Sequence, residues 1–339
     1  MIKLEQSETL LVKELVKKSI EEERVSFGTI QNISRLTGDA STRRYYRVQN
    51  CNNSLVVCFD TPAEHKENCT FTEVHQFLEQ NQVRVPKIYD SDYNAGYFLE
   101  EDLGNLTLLH KLSSINSSGD EYQLYEKAID LVIAMHSIPI EKYKNLNFYN
   151  LSFNEDKLMS EVDFTNQHFI NNYLNYSVTD EESNFIRSSF VEICRLIVGE
   201  KMIFTHRDYH SRNLMSVDDE LVVIDFQDAR MGAPQYDLVS LLEDCYYQLS
   251  ERNKEKLLLK YIESFPTLDF ERFHFIYDLM AIQRIYKAVG SFSYIYFTKS
   301  DKRYLKYIGY GMEKIKSILM KYPEYSELRK TIFNIYYGN

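Results

Sequence analysis

The chain has no tryptophan, so stacking on a ligand ring falls to its 27 tyrosines and 20 phenylalanines. Cysteine is scarce and scattered. Cys51, Cys58, Cys69, Cys194 and Cys245 are odd in number and contain no C-x-x-C pair. That pattern argues against a disulfide frame or a cysteine zinc site and predicts reduced thiols in a cytoplasmic enzyme. No apolar run approaches membrane-spanning length, and the first residues, Met1 to Gln6, lack the apolar core of a signal peptide, so neither a membrane span nor a leader is expected. Basic charge is also in deficit. With 39 Lys and Arg against 50 Asp and Glu, the net charge of −11 argues against sequence-independent nucleic-acid binding. No internal repeat appears.

What remains is a 339-residue chain with 44% hydrophobic and 26% charged residues, the balance of a globular protein with one large domain or two lobes. Charge is unevenly spread. Residues 283–339 hold 11 Lys and Arg against 4 Asp and Glu, which reads first as a solvated basic face on C-terminal helices.

Leu11, Leu15, Val16 and Ile20 recur at helical spacing over 9–24. Strand-like segments follow at 30–36, 43–49 and 55–59, then a helix over 70–81 and a strand pair at 87–89 and 97–101 around the turn Asn94-Ala95-Gly96. Beyond Gly104 helical periodicity takes over, in the segment from Leu124 to Met135 and over 185–197, 235–262, 271–297 and 303–321, with a polar surface loop predicted at 113–120. The boundary is placed at Gly104, giving units 1–103 and 104–339.

Two short stretches carry the chemistry. His206-Arg207-Asp208 is followed by Asn213, and an apolar strand, Val222-Val223-Ile224, ends in Asp225. Phosphoryl transfer to a hydroxyl needs a carboxylate to orient the acceptor and take its proton, and hard oxygens for magnesium. Asp208 is the candidate base, and Asn213 with Asp225 the candidate magnesium ligands. Asp228 reads as a supporting acid or a cap, and Asp237 as a helix cap or a brace for the catalytic loop. His206 and His210 read as packed histidines rather than ligands. The loop between the first two strands, from Leu36 to Arg44, holds one glycine, Gly38, so the protein-kinase G-x-G-x-x-G is absent. Backbone N–H groups with the Ser41 and Thr42 hydroxyls could hold phosphate there; a tight hairpin explains the loop equally well.

On these stretches, together with Gly38-Asp39-Ala40-Ser41-Thr42, Leu99-Glu100-Glu101-Asp102-Leu103-Gly104 and Asp225-Phe226-Gln227-Asp228-Ala229, the chain resembles the aminoglycoside-phosphotransferase-like kinases. Within them it is most similar to the bacterial anomeric kinases of cell-wall sugar recycling, which act on N-acetylmuramate and N-acetylglucosamine. The resemblance implies an α+β, two-lobed protein-kinase-like fold with an antiparallel-sheet N-lobe and a mostly helical C-lobe. It implies ATP and Mg2+ as cofactors and a small-molecule sugar as partner, with no nucleic acid and no membrane. It also implies adenine contacts from segment 99–103, where Glu100, Asp102 and Leu103 are the candidates. The third strand, Leu55-Val56-Val57-Cys58-Phe59, lacks the phosphate-pairing lysine of the wider kinase pattern. Arg43, Arg44 or Arg47 is expected to replace it, with Glu73 as acidic partner. By position, Glu161, Asp163, His168, Gln283 and Arg284 are assigned to the acceptor. An aminoglycoside kinase, which needs an acidic pocket for a polycation, and a non-catalytic scaffold are the rival readings.

Overall fold

The computed structural model describes residues 2–36, 43–59, 70–92 and 96–338, with backbone only for 2–7. The chain divides into two compact units, one of residues 1–106 with 215–227 and the other of residues 107–214 with 228–339.

The first unit is built on a five-stranded antiparallel sheet. Its strands are β1 (Asn32–Leu36), β2 (Arg44–Gln49), β3 (Ser54–Phe59), β4 (Ile88–Asp92) and β5 (Tyr97–Glu101), in spatial order β1-β2-β3-β5-β4. Strand alternation decides its faces. Tyr46, Val48, Leu55, Val57, Phe59, Tyr97 and Leu99 point to one side and form a core with Val12 and Val16 of α1 (Ile2–Glu21). The opposite side carries Arg43, Tyr45, Arg47, Val56, Cys58, Phe98 and Glu100, with α2 (Thr70–Gln80) packed on it through Phe71 against Phe98 (5.0 Å between ring centres). The hairpin β7 (Leu214–Val217) and β8 (Glu220–Val223) joins this unit by backbone bonds: Ser216 N–H donates to Leu106 O (2.7 Å) and Val223 N–H to Arg84 O (2.9 Å).

The second unit is mostly helical. It comprises α3 (Leu108–Leu112), α4 (Ser118–His136), α5 (Asn147–Asn150), α6 (Glu155–Thr165), α7 (Asp180–Val198), α8 (Gln235–Leu242), α9 (Glu251–Glu263), α10 (Phe270–Lys299), α11 (Leu305–Leu319) and α12 (Ser326–Tyr337). A short antiparallel pair, β6 (Ile203–Thr205) with β9 (Arg230–Gly232), brackets the His206–Asn213 stretch in sequence. The thirty-residue α10 is the central element, packing on α6, α7, α8 and α11. Its start is fixed by Asp269, whose side chain accepts from the Arg272 N–H. Among the described residues, no helix is long and apolar enough to cross a membrane.

Three local expectations are revised. The helix expected over 235–262 is two helices, broken at 243–250. There the Asp244 carboxylate accepts from the Tyr246 N–H (2.8 Å) and offers the backbone an alternative to helix. The polar loop expected at 113–120 ends at Ser117, whose hydroxyl caps α4 by accepting the Asp120 N–H (3.1 Å). After α6 the helix widens into a π-helical segment, Asn166–Tyr173, a local widening that helical periodicity does not report.

Gly290 lets α10 approach the end of α6. A Cβ there would lie 2.7 Å from Thr165 Cα, a backbone atom that has no soft side chain to yield. Inside a helix, alanine is otherwise favoured over glycine by about 1 kcal/mol. Gly290→Ala is nonetheless expected to destabilise by about 1–2 kcal/mol in urea titration, because overpacking costs outweigh that gain. A stabilised variant would show that the contact is not a constraint.

Candidate active site

The candidate catalytic stretch, residues 206–213, is held by side chains from distant helices. Asp237, on α8 and wholly buried, accepts from the backbone N–H of His206 (2.7 Å) and of Arg207 (3.0 Å). His136 of α4 stands behind it, bridging Tyr261 Oη (2.8 Å) and Asp237 Oδ2 (3.3 Å). Arg207 takes φ = 80°, a region non-glycine residues avoid, and Ser240 Oγ donates to its carbonyl (3.3 Å). Such a conformation costs about 1–3 kcal/mol and persists because its surroundings over-determine it. Further along, Asp244 accepts from Ser211 N–H (3.1 Å) and Oγ (2.5 Å), while Tyr209 Oη donates to Ala128 O (2.8 Å). Asp237 is therefore a brace, and Asp244 is a second brace that sequence spacing did not single out.

This scaffold presents Asp208 half-buried. Asn213 Nδ2 donates to the Asp208 carbonyl (3.0 Å), which fixes the orientation of that amide relative to the loop. Around the Asp208 carboxylate stand Arg284 (3.7 Å), Lys287 (3.8 Å) and the Arg207 Nε (3.8 Å). Burial alone would raise its pKa. The charges of Lys287, Arg284 and Arg207 overcome that and hold the carboxyl well below the usual range. Arg284 also lies 4.9 Å over the Tyr236 ring, and Tyr236 stacks on Phe153 at 4.0 Å. Arg207 pairs with Asp228 (2.9 Å), so Asp228 supports the 206–213 loop.

Glu161 and Gln283 reach the same locality, with Gln283 Nε2 donating to Glu161 Oε2 (3.2 Å). Glu161 Oε1, Gln283 Oε1, Tyr236 Oη and Arg207 Nε are buried without hydrogen-bond partners in the protein. Buried polar atoms are rarely left so, and a cluster of them is what a ligand rich in hydroxyls would complete. Asp163 does not join this group. Two positions beyond Glu161, it turns to the other side of α6 and faces Arg187 (3.4 Å) at 48% exposure. His168 sits instead in an aromatic cluster with Phe164 (4.3 Å) and Tyr294 (4.8 Å). Lys287 and Tyr236 were missed by the sequence reading. Lys287 lies three residues after Arg284 on α10, and that spacing alone marks a shared face.

In the first unit, the sheet face opposite α1 gathers the candidate nucleotide residues. Arg43 lies 5.0 Å over the Phe71 ring, and Phe71 stacks on Phe226 at 5.2 Å, beside Asp225. Burial raises the Tyr45 phenol, and Cys58, Glu100 and Asp225 push it the same way against Arg43. Arg43, Tyr45, Glu100 and Asp225 therefore share one electrostatic environment. Arg44 lies on the other face against Glu8 (3.5 Å), and Arg47 is committed to Asp102 (2.6 Å). Asp102 also accepts from Gly104 N–H (2.9 Å), Leu103 is half-buried, and Glu73 is half-buried on α2. Gly38, Ser41 and Thr42 lie outside the described residues. Asp225 takes φ = 64° and accepts from Gln227 Nε2 (2.8 Å). Among the described residues no group of three or more His, Cys, Asp or Glu forms a metal site. Magnesium held by one amide, one carboxylate and nucleotide phosphates needs none, so Asn213 and Asp225 fit that ion by type.

A family model described as a phosphotransferase enzyme family matches residues 32–274. An N-acetylmuramate/N-acetylglucosamine kinase of Pseudomonas putida is 28% identical over 318 residues, covering 91% of this chain and 89% of that protein. The crystal structure of choline kinase LicA from Streptococcus pneumoniae aligns with a TM-score of 0.60 at 18% identity, over 89% of this chain and 99% of that one. The ADP-bound aminoglycoside phosphotransferase APH(2'')-Ib aligns at 0.59 and 17% identity, over 84% and 93%. The likeness to these structures shows the protein-kinase-like α+β fold.

Glu100 supplies a test of the nucleotide face. Burial pushes its pKa up to about 7, against the opposing charge of Arg43. The folded state therefore binds a proton that the unfolded state has lost between pH 4.5 and 7, so this group's contribution to stability falls as pH rises through that window. Glu100→Gln is expected to gain roughly 2–3 kcal/mol at pH 8 relative to wild type, and little at pH 4. Equal effects at both pH values would mean that the carboxyl is not held protonated.

Proposed function

The chain belongs to the phosphotransferase enzyme family, and from that premise we propose that it transfers the γ-phosphoryl group of ATP to the anomeric C1 hydroxyl of N-acetylmuramate or N-acetylglucosamine. The general activity, phosphoryl transfer to a hydroxyl acceptor, follows from the family. The sugar and the atom phosphorylated are the proposal. The observation that carries it is Asp208, faced by Arg284, Lys287 and Arg207, near buried polar atoms of Glu161, Tyr236 and Gln283 that make no hydrogen bond in the protein. A ring with several hydroxyls and an amide offers donors and acceptors to complete that set.

In this reading Asp208 accepts a hydrogen bond from the C1 hydroxyl and aims its oxygen at the phosphorus. A carboxylate held so firmly ionised is a weak proton acceptor. Its main work is orientation, with the proton passing to Oδ late as the bond to phosphorus forms. An anomeric hydroxyl is more acidic than an ordinary alcohol, which narrows the gap. Arg43 steadies the nucleotide phosphates in place of the absent strand lysine. Asn213 and Asp225 are the proposed magnesium ligands, and the ion would neutralise phosphate charge when bound. ATP as phosphoryl donor and cysteines without a C-x-x-C pair fit a reducing compartment, and the cytoplasm is the proposed location.

The proposed acceptor region has an excess of cations, with Arg207, Arg230, Arg284 and Lys287 close to one another and to Asp208, Asp228 and Glu161. That composition repels a polycationic drug and argues against the aminoglycoside reading. The test is ADP release across an acceptor panel. Both sugars are expected to turn over, a kanamycin-like polycation is expected to be ignored, and Asp208→Asn is expected to lower kcat by about 10²-fold while retaining ATP binding. Preference for the polycation would overturn the substrate assignment, and near-wild-type turnover by a folded Asp208→Asn would overturn the role of Asp208.

A further inference from the structure

A cavity of ≈ 190 Å³ lies beside Asp208, between α10 and the segment that links α8 to α9. Its lining mixes apolar side chains, Ile285 and Phe292 among them, with five charged ones: Asp208, Glu243, Asp244, Arg284 and Lys287. Two of the acids are already satisfied. Glu243 is clamped between Lys254 (2.9 Å) and Lys314 (2.7 Å). Asp244 accepts from Ser211 with one oxygen and from the Tyr246 N–H with the other. That leaves two cations facing one carboxylate. Neither reaches it closely, at 3.7 Å for Arg284 and 3.8 Å for Lys287, beyond hydrogen-bond distance. Arg284 lies on the Tyr236 ring. The Lys287 ammonium makes no hydrogen bond among the described residues, although its side chain is only 19% exposed.

A largely buried ammonium with uncommitted donors calls for an anion. The apolar part of the wall narrows the choice. A cavity of this size, part apolar and part cationic, suits a short branched acid better than a bare phosphoryl group. The O-lactyl ether of N-acetylmuramate has this character, with a methyl and a carboxylate on one carbon.

We propose that Lys287 is a specificity-determining residue, whose ammonium pairs with a carboxylate on a short ether-linked substituent of the acceptor sugar and favours the acidic sugar over its neutral counterpart. This inference rests on the amino-sugar reading above. Arg284, fixed on Tyr236, stays with Asp208, whereas Lys287 serves the substituent.

The test compares kcat/KM for N-acetylmuramate and N-acetylglucosamine in the wild type, Lys287→Met and Lys287→Arg. The wild type is expected to prefer the acidic sugar. Lys287→Met is expected to lower the acidic-to-neutral ratio by about tenfold or more, the scale of a lost charge-assisted hydrogen bond. Lys287→Arg keeps most of the preference. The methyl ester of N-acetylmuramate, assayed on the wild type, should fall to the level of the neutral sugar, which gives a readout that no variant's folding can confound. A ratio unchanged in Lys287→Met, or an ester as good as the acid, overturns the assignment. Wild-type turnover of neither sugar overturns the functional reading itself, and that outcome is visible before any variant is made.

Discussion

The active arrangement depends on a buried carboxylate that never needs to touch substrate. Asp237 accepts two successive backbone N–H groups, those of His206 and Arg207, from a position 30 residues further along the chain. Backbone amides in a water-excluded site need partners, and leaving one unsatisfied costs about 1–3 kcal/mol. By satisfying both, Asp237 stabilises an Arg207 backbone conformation that sequence-local forces disfavour. The turn at Arg207 aims Asp208 toward the cationic cluster of α10. His136 of α4 and Ser240, one turn along α8 from Asp237, complete the support. The loop is thus positioned by helices whose own packing is continuous with the core of the second unit.

Electrostatics then sets what Asp208 can do. Three cations surround it at 3.7–3.8 Å, near enough to keep it ionised and too far to occupy its lone pairs. A carboxylate tied up in short ion pairs could not accept a hydroxyl. The same cations give the surroundings of Asp208 a positive bias, although the chain as a whole carries −11. The first unit shows the corresponding economy on its sheet. Arg44 and Arg47 stabilise structure through Glu8 and Asp102, and Arg43 is the arginine on the Phe71–Phe226 stack next to Asp225.

Much of this was legible in the sequence because it is local. The spacing of Asp208, Asn213 and Asp225 reports a loop and a strand end directly, and the period of a strand by itself puts Arg44 on the face opposite Arg43 and Arg47. What was not legible depends on long-range packing. Asp237 read equally as cap or brace, because its partners lie on another element. Glu161 and Asp163 were indistinguishable by position, yet two residues of helix send one into the cluster and the other toward Arg187. The break at 243–250 was hidden because Leu257, Leu258 and Tyr261 of α9 continue an apolar pattern that α8 begins, while the Asp244 side chain redirects the backbone between them. Lys287 looked like one more surface base among the C-terminal lysines. Only the fold shows that its stem is buried beside Asp208.

The central claim, that the braced carboxylate directs phosphorylation to the anomeric hydroxyl, is tested most directly by phosphorus NMR of the product formed from ATP and 13C1-labelled N-acetylglucosamine. The account predicts a single sugar phosphate whose phosphorus couples to C1, with loss of reducing-end reactivity. A product phosphorylated at C6 or any other ring position, with the reducing end intact, would contradict it.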